Sequence, residues 1–246
     1  MKSILLAAAA LFFSPVAHAA DIFLLAGGAT KDVIEELIPA FEKATGHKVV
    51  PTWAAAPAIR KRLETGETFD LVISSAGDID AFIQQGKLAP GSRTGLMQTG
   101  VGVAVKAGAP KPDISSADAL KGALLAAKTI GISAGTSGAY VVSLMARLGI
   151  ADETKQKLRQ TPTGVRVGAM LASGEVEIGL QQESELKNEP GISYLGPLPP
   201  ELQQVTLYAA GLGATTKQPD AARALVKALS GPDAAVVIAR HGMKPG

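Results

Sequence analysis

The sequence has no cysteine, three histidines, one tryptophan and only 4% aromatic residues. Without cysteine, the chain can form neither a disulfide framework nor a thiol nucleophile. His47 and His241 are far apart in sequence, and no group of histidine and acidic residues has the spacing of metal ligands. The shortage of aromatic rings argues against a sugar site built on stacking. We therefore expect no metal and no other cofactor.

An excess of charge of one sign is also missing. The chain has 24 basic and 22 acidic residues, which gives a formal net charge of +2. This near-balance does not support binding to nucleic acid or to a membrane surface. Beyond the N-terminal segment, no apolar run is long enough for a transmembrane helix.

Patterns typical of catalysis are weak in this sequence. The segment Gly135–Gly138 has the outline of a nucleophile elbow, but no base stands in a companion motif. No convincing acid–base pair can be assembled from the remaining residues. We therefore predict that the chain is not an enzyme and that it has no catalytic residues.

The first 19 residues have the pattern of a signal peptide. A positive start at Lys2 is followed by the apolar stretch Ile4–Phe13 and by the small-x-small sequence Ala17–Ala19. We expect cleavage after Ala19 and a periplasmic protein. The alternative is an N-terminal membrane anchor, although an apolar stretch this short rarely spans a bilayer.

The rest of the chain alternates strands and helices. Residues 21–75 contain strand, glycine turn, helix, strand, small-residue turn, helix and strand, which is typical of an α/β fold. A further helix is predicted at Asp152–Arg159. The stretches Leu88–Gly95 and Gly196–Pro200 are interpreted as connections because they are rich in glycine and proline.

Two strand-like segments suggest two lobes. Gly100–Lys106 and Val205–Ala210 bracket a stretch that is itself α/β. If both cross between lobes, lobe one comprises residues 20–100 plus 208–246, and lobe two comprises 101–207. A single doubly wound sheet is the alternative.

Four turns between a strand's end and a helix's start suggest an anion site. They are Gly28–Thr30, Ala54–Pro57, Ser74–Ala76 and Ser133–Ala139. The free N–H groups at the start of a helix favour a bound anion. For any one turn, small residues are explained by tight turning alone, but four together favour a binding site for a small anion.

Two arginines lie close to these turns in sequence. Arg60 comes one helical turn after Ala56, and Arg166 follows the loop Thr161–Gly164. A guanidinium can hold a carboxylate or oxyanion through two parallel hydrogen bonds. Either arginine could instead be a solvated or salt-bridged side chain, and the sequence leaves both interpretations open.

Four segments resemble the periplasmic molybdate-binding proteins of ABC transporters. In order, they read AGGATKDVIEELIPAFEKATGHKVV, AIRKRLETGETFDLVISSAGD, VRVGAMLASGEVEIGL and GPDAAVVIARHGM. The resemblance covers nearly the whole chain after residue 19. It implies the type 2 periplasmic binding fold, with two α/β lobes, two crossing strands and an interlobe cleft. It also implies a monomer that delivers its ligand to an ABC permease.

The chain departs from this family where the family's side chains contact the ligand. The resemblance would place serines at Ala29 and in Ala54–Ala56 and a tyrosine at Gln182, while Arg60 replaces a small residue. Each missing donor to a charged group costs about 1.5–3 kcal/mol. We therefore expect a small organic carboxylate, with a molybdate- or tungstate-type oxyanion as the alternative. A periplasmic ligand-sensing protein is the alternative outside transport.

These considerations give a set of expected ligand-binding residues. They are Gly28, Ala29, Thr30, Ala55, Ala56, Arg60, Ser75, Thr136, Ser137, Gly138, Val165, Arg166 and Gln182. The expected partners are this small anion and a membrane permease, with no nucleic acid.

Overall fold

The computed structural model of the chain describes residues 19–162 and 164–246. In these residues the strands form two separate sheets. In chain order they are β1 (Asp21–Gly27), β2 (Lys48–Ala54), β3 (Leu71–Ser75), β4 (Thr94–Thr99), β5 (Val101–Lys106), β6 (Ile130–Ile132), β7 (Leu158–Gln160), β8 (Ile178–Gln182), β9 (Ile192–Pro197), β10 (Thr206–Leu212) and β11 (Lys244–Pro245).

The helices connect and cover these strands. They are α1 (Lys31–Thr45), α2 (Ala56–Glu64), α3 (Ala76–Gln84), α4 (Ala117–Ala126), α5 (Thr136–Arg147), α6 (Ala151–Lys155), α7 (Val167–Ser173), α8 (Glu183–Leu186), α9 (Pro219–Leu229) and α10 (Pro232–Arg240). Short 3₁₀ turns cover Gly28–Thr30 and Pro200–Leu202. No helix in the described part of the chain combines the length and the apolar character needed to cross a membrane.

The first lobe is built on a six-stranded sheet of order β11–β4–β10–β3–β1–β2. Strand β1 pairs in parallel with β2 and β3, while β10 pairs antiparallel with β3 and β4. Apolar clusters cover both faces: α1, α9 and α10 pack on one, and α2 and α3 on the other. The parallel part follows from the strand–helix–strand repeat of residues 21–75.

The second lobe is built on a five-stranded sheet of order β7–β6–β8–β5–β9. Strand β6 pairs in parallel with β7 and β8, and β5 pairs antiparallel with β8 and β9. Its two cores involve α4 and α5 in one cluster and α7 and α8 in the other. Two sheets with separate cores confirm the predicted α/β class and exclude the single doubly wound sheet.

The chain passes between the sheets at two places. Strand β4 continues into β5 through Gly100, and β9 is followed by residues 198–205 and then by β10 of the other sheet. The boundaries predicted for the lobes, at 100/101 and 207/208, stay predictions. The predicted signal peptide ends at Ala19. Its residues 1–18 lie outside the described residues.

Helix α1 illustrates how local sequence sets an element. Its buried side chains Val33, Ile34 and Phe41 lie on one face, as a period of 3.6 residues requires. The helix ends at Gly46, which has a φ of +75° and therefore favours a residue without Cβ. The predicted start near Thr30 becomes a 3₁₀ turn followed by α1 from Lys31.

Three local predictions are wrong. The helix predicted at Asp152–Arg159 ends at Lys155, and Leu158–Gln160 instead pairs with β6. The stretches interpreted as connections contain parts of β4 and β9, which pair with β10 and β5. In each case the pairing partner lies far away in sequence, so tertiary hydrogen bonding overrides the local pattern.

Candidate functional site

A cavity of about 400 Å³ lies between the lobes and is called the cleft below. The first lobe contributes the residues after β1 and β2, and the second lobe those after β6 and β8 and before α7. Helices α2 and α5 begin at this cleft, and the residues before them, Ala55 and Gly135, provide no side-chain cap. The first N–H groups of a helix lack intrahelical acceptors, so these ends favour an anion; α2 has one such donor fewer than α5, because Pro57 has no N–H.

The structure brings together nine of the residues predicted from sequence. Those that line the cleft are Gly28, Ala29, Ala55, Ala56, Thr136, Ser137, Val165, Arg166 and Gln182. They come from both lobes, as the predicted arrangement of turns requires. Their role in binding stays a prediction.

The structure gives the other four residues different surroundings. Thr30 is fully buried and donates a hydrogen bond to the backbone oxygen of Gly27 at 2.9 Å. Ser75 caps α3 by accepting a hydrogen bond from the backbone N–H of Asp78. A Cβ on Gly138 would lie 1.8 Å from the backbone oxygen of Ser133, so close packing explains this glycine.

Arg60 does not line the cleft. Its Nη1 lies 2.7 Å from Oδ1 of Asp78, and the Arg60 side chain is 46% exposed. It lines a second depression with Ser75, Asp78, Tyr140 and Arg147, which we call the side groove. The pair with Asp78 accounts for this arginine as a salt-bridged side chain, the alternative that the sequence left open.

The start of α5 is organised by Ser133. Its Oγ accepts hydrogen bonds from the backbone N–H groups of Gly135 and Gly138, both at 3.2 Å. It also lies 2.9 Å from Oγ of Ser137. Ser137 is thus held in a fixed position at the cleft wall, beside a helix start that has further N–H donors.

Gln182 contributes a buried polar group. Its Nε2 donates to Oγ1 of Thr206 at 3.1 Å, while its Oε1 has no hydrogen-bond partner within residues 19–162 and 164–246. A buried acceptor without a donor costs about 1–3 kcal/mol. The cleft wall therefore contains an acceptor that a ligand hydroxyl or a protonated carboxyl could satisfy.

Sequence reasoning missed Glu185, which lines the cleft from α8. Part of the residue faces the cavity, and protein surrounds the rest. Burial raises the pKa of its carboxyl to about 7. Arg166 and a hydrogen bond from Gln181 act in the opposite direction, while Asp32 and Glu189 add to the increase. A carboxyl with this pKa can accept and return a proton near neutral pH.

The Gly27–Gly28 turn lies against this carboxyl. A Cβ on Gly28 would be 3.6 Å from Oε1 of Glu185, and one on Gly27 would be 3.6 Å from the ring of Tyr208. Burial raises the pKa of Tyr208 far above its usual value. The two glycines, interpreted from sequence as an anion cradle, thus let the turn lie close to Tyr208 of its own lobe and to Glu185 of the second lobe.

Direct contacts join the lobes beside Glu185. Oγ of Ser184 donates to the backbone oxygen of Ala29 at 3.1 Å. Nη2 of Arg166 lies 2.6 Å from Oδ1 of Asp32, and its Nη1 lies 3.4 Å from Oε2 of Glu189. Arg166 therefore bridges an acidic residue of each lobe.

A signal for Glu185 was present in the sequence. The polar run Gln181–Glu185 follows directly after the apolar part of β8, in the position that led us to select Gln182. The elevated pKa of Glu185 could not be predicted, because it depends on burial within the assembled cleft. Within the described residues, no group of three or more histidine, cysteine or acidic residues could hold a metal ion.

Comparison with known proteins corrects one prediction. The chain is 38% identical over 228 residues to a protein of Pseudomonas sp named aconitate isomerase, with 90% of this chain and 87% of that protein covered. That relative is an enzyme. The prediction that this chain is not an enzyme is therefore wrong; it relied on the failure to assemble an acid–base pair from the sequence.

The resemblance to molybdate-binding proteins is confirmed. The molybdate-binding protein ModA of Azotobacter vinelandii is 26% identical over 237 residues, covering 92% of this chain and 90% of ModA. The solved structure of the periplasmic molybdate-binding protein of Azotobacter vinelandii matches with a TM-score of 0.74 at 20% identity, covering 90% of this chain and 98% of that one. At this identity the structural match shows the two-lobed fold.

The family itself is given by a match over nearly the whole chain. The sequence profile described as bacterial extracellular solute-binding protein, a family of ABC transporter components, matches residues 22–244. This range includes both lobes and every described residue of the cleft named above. The chain therefore belongs to the family of bacterial extracellular solute-binding proteins.

Proposed function

We propose that this chain isomerises a small unsaturated polycarboxylate of the aconitate class by moving one proton with Glu185. The observation that carries the proposal is the cleft-facing carboxyl of Glu185, whose pKa burial raises to about 7. Similarity to an aconitate isomerase over 90% of the chain supports the choice of substrate class. The cavity of about 400 Å³ falls within the usual range for small-molecule sites.

The chemistry requires a single group that accepts and returns a proton. Aconitate is a propene tricarboxylate, and its methylene group lies next to both a carboxylate and the double bond. Removing a methylene proton leaves an allyl anion whose charge spreads into the carboxylates. Returning the proton to the other terminal carbon moves the double bond, and the conformation of the bound anion decides between cis and trans. No electron is gained or lost.

Glu185 has the properties that this step needs. A pKa near the working pH maximises the product of the correct protonation state and the driving force for proton transfer. With a pKa of about 7, both the carboxylate and the carboxylic acid are populated at neutral pH. One side chain can therefore take the proton in its basic form and return it in its acidic form.

Other cleft residues are suited to hold the substrate's carboxylates. The starts of α2 and α5 supply backbone N–H donors, and Ser137 adds a hydroxyl fixed by Ser133. Charge at these positions is favoured by the helix dipole. The unpartnered Oε1 of Gln182 suits a protonated carboxyl of the substrate. These groups would fix the conformation of the allyl anion.

Family membership supports a second role in uptake. Extracellular solute-binding proteins of ABC transporters capture a ligand between two lobes, and we infer that this chain is periplasmic and can pass its ligand to a permease. An oxyanion such as molybdate is the competing ligand, because ModA is 26% identical. The losses of serine and tyrosine donors at Ala29, Ala55 and Gln182 argue for the carboxylate.

The experiment uses the chain from residue 20 onward, incubated separately with cis- and trans-aconitate in D₂O and followed by proton NMR. We expect the isomers to interconvert with deuterium appearing at the exchanging carbon. Glu185→Gln should reduce the rate at least about a hundredfold, in line with the usual contribution of a general base. Glu183→Gln is the matched control, since Glu183 begins the same helix but pairs with Tyr194 and Lys187 outside the cleft.

Two results would contradict the proposal. One is the absence of interconversion together with thermal stabilisation by molybdate and not by any tricarboxylate. The other is a Glu185→Gln variant that isomerises aconitate as fast as the wild type, which would leave isomerisation in place but assign the proton transfer to another group.

A further inference from the structure

Arg166 is shared between acidic residues of the two lobes. Asp32, at the start of α1, belongs to the first lobe, whereas Glu185 and Glu189 belong to the second lobe, as does Arg166 itself. The Arg166–Asp32 distance is 2.6 Å and the Arg166–Glu189 distance is 3.4 Å. The guanidinium is thus held more closely by the opposite lobe than by its own.

The contacts between the two lobes also cover Glu185. The Gly27–Gly28 turn of the first lobe lies against its carboxyl, and Ser184 bonds to Ala29 across the interface. Glu185 is faced by a small set of polar and charged groups. They are Asp32 of α1, Gln181 of β8, Arg166 before α7, Glu189 after α8 and Tyr208 of β10. Arg166 is the one cation in this set.

We propose that Asp32 is a positioning residue: when the cleft closes, it pairs with Arg166 and brings its own negative charge, which offsets the effect of this cation on Glu185 and makes Glu185 the base for proton transfer. This inference deepens the proposed function and rests on it. When the lobes separate, Asp32 and the Gly27–Gly28 turn leave together. Glu185 is then hydrated and keeps Arg166 without the opposing charge of Asp32, so it becomes a stable carboxylate and a weak base.

The opposite charges of Arg166 and Asp32 predict opposite effects on the pKa of Glu185. Arg166 lowers the pKa of Glu185, because a cation favours the carboxylate. Asp32 raises the pKa as a nearby negative charge, and its ion pair with Arg166 partly neutralises that cation. Removing Asp32 should therefore weaken the base, and removing Arg166 should strengthen it. An ion pair that acted on the fold alone, without influence on the charge of Glu185, would shift the pKa in neither variant.

The experiment measures the pH dependence of kcat for aconitate in Asp32→Asn and Arg166→Met, because kcat reports groups in the substrate complex. We expect the acidic limb to move down by on the order of one pH unit in Asp32→Asn and up by a similar amount in Arg166→Met. Asp32→Asn should also lower the plateau value of kcat about threefold, as a weaker base transfers protons more slowly. Asp80→Asn is the control, since Asp80 pairs with Arg93 within the first lobe.

A second measurement does not depend on turnover. The carboxyl carbon of Glu185 is titrated by carbon-13 NMR, with and without propane-1,2,3-tricarboxylate, and is assigned by its absence from Glu185→Gln spectra. Opposite displacements in the two variants support the inference even if aconitate is not turned over, in which case the proposed function alone fails. Displacements of the same sign, or none, overturn the role of Asp32 whether or not the protein is an isomerase.

Discussion

The cleft and the side groove are neighbouring depressions between the same two lobes, yet their arginines are held differently. In the cleft, Arg166 bridges Asp32 of one lobe and Glu189 of the other, and the side chains of Arg166 and Asp32 are 28% and 33% exposed. In the side groove, Arg60 pairs with Asp78 of its own lobe and is 46% exposed. Both arginines follow a turn that begins at a strand's end.

The difference shows what makes an arginine part of a site. An exposed pair within one lobe is screened by water and contributes little, typically about 0–1 kcal/mol. A pair between lobes changes when the lobes move, and at the cleft it lies beside a buried carboxyl whose pKa responds to it. The electrostatic influence of Arg166 therefore depends on closure, whereas that of Arg60 does not.

The largest expected effect comes from filling the space next to Glu185. Gly28→Leu should reduce kcat/KM for aconitate by about a hundredfold, because the Cβ would already contact Glu185 and the remaining atoms would enter the cleft. Steady-state kinetics measure this. Gly77→Leu is the control and should retain activity, because Gly77 is exposed and a Cβ there would have no atom within 4 Å. Equal losses in both variants would remove the distinction between the two regions.

The second effect concerns Glu185→Gln, which should increase stability although it reduces activity. Above pH 7 the folded protein holds Glu185 as a carboxylate in surroundings that raise its pKa, and this costs free energy. In the unfolded chain the pKa of Glu185 is ordinary, so ionisation there has no such cost. Glu185→Gln should therefore increase the free energy of unfolding at pH 8 by up to about 3 kcal/mol, at about 1.4 kcal/mol per pKa unit. Denaturant unfolding measures this difference.

Comparing the stability of wild type and Glu185→Gln at lower pH tests whether ionisation of Glu185 causes the difference. Below pH 4.5 the carboxyl is protonated in both the folded and the unfolded chain, so the advantage of Glu185→Gln should disappear. A gain in stability that is as large at pH 4 as at pH 8 would mean that the variant acts through packing rather than through ionisation.

A smaller effect is expected from the hydrogen bond that joins the lobes. Ser184→Ala removes the donor to the backbone oxygen of Ala29, a bond worth about 0.5–1.5 kcal/mol. Tricarboxylate binding should weaken by about threefold to tenfold, as isothermal titration calorimetry can measure. Ser143→Ala is the counterpart in the side groove, because Ser143 bonds within its own helix to Ala139. Ser143→Ala should bind the tricarboxylate with the same affinity as the wild type.

The smallest effect is expected at Arg60. Arg60→Ala should change the dissociation constant for a tricarboxylate by less than about twofold, since the pair with Asp78 is exposed and lies outside the cleft. Calorimetry on this variant tests the separation of the two regions most directly. A loss of affinity of tenfold or more would bring Arg60 back into the binding site.

Local sequence was sufficient for much of the fold. The buried face of α1, its glycine end at Gly46 and the repeated strand–turn–helix order of residues 21–75 all follow from patterns within a few residues. Strands β7 and β9 could not be predicted in this way. Their pairing with β6 and β5 involves backbone groups far away in sequence.

The candidate site also has features that follow from local sequence and features that depend on contacts between distant residues. The sequence by itself determined that small-residue turns lead from strands into helix starts with N–H donors, because these are properties of single strand–helix connections. Only the tertiary structure decided that Arg166 lines the cleft while Arg60 does not, and that Glu185 is a partly buried carboxyl with a raised pKa. Burial and charge pairing arise between residues of different lobes, such as Gly28 with Glu185 and Asp32 with Arg166, and no local pattern encodes those distances.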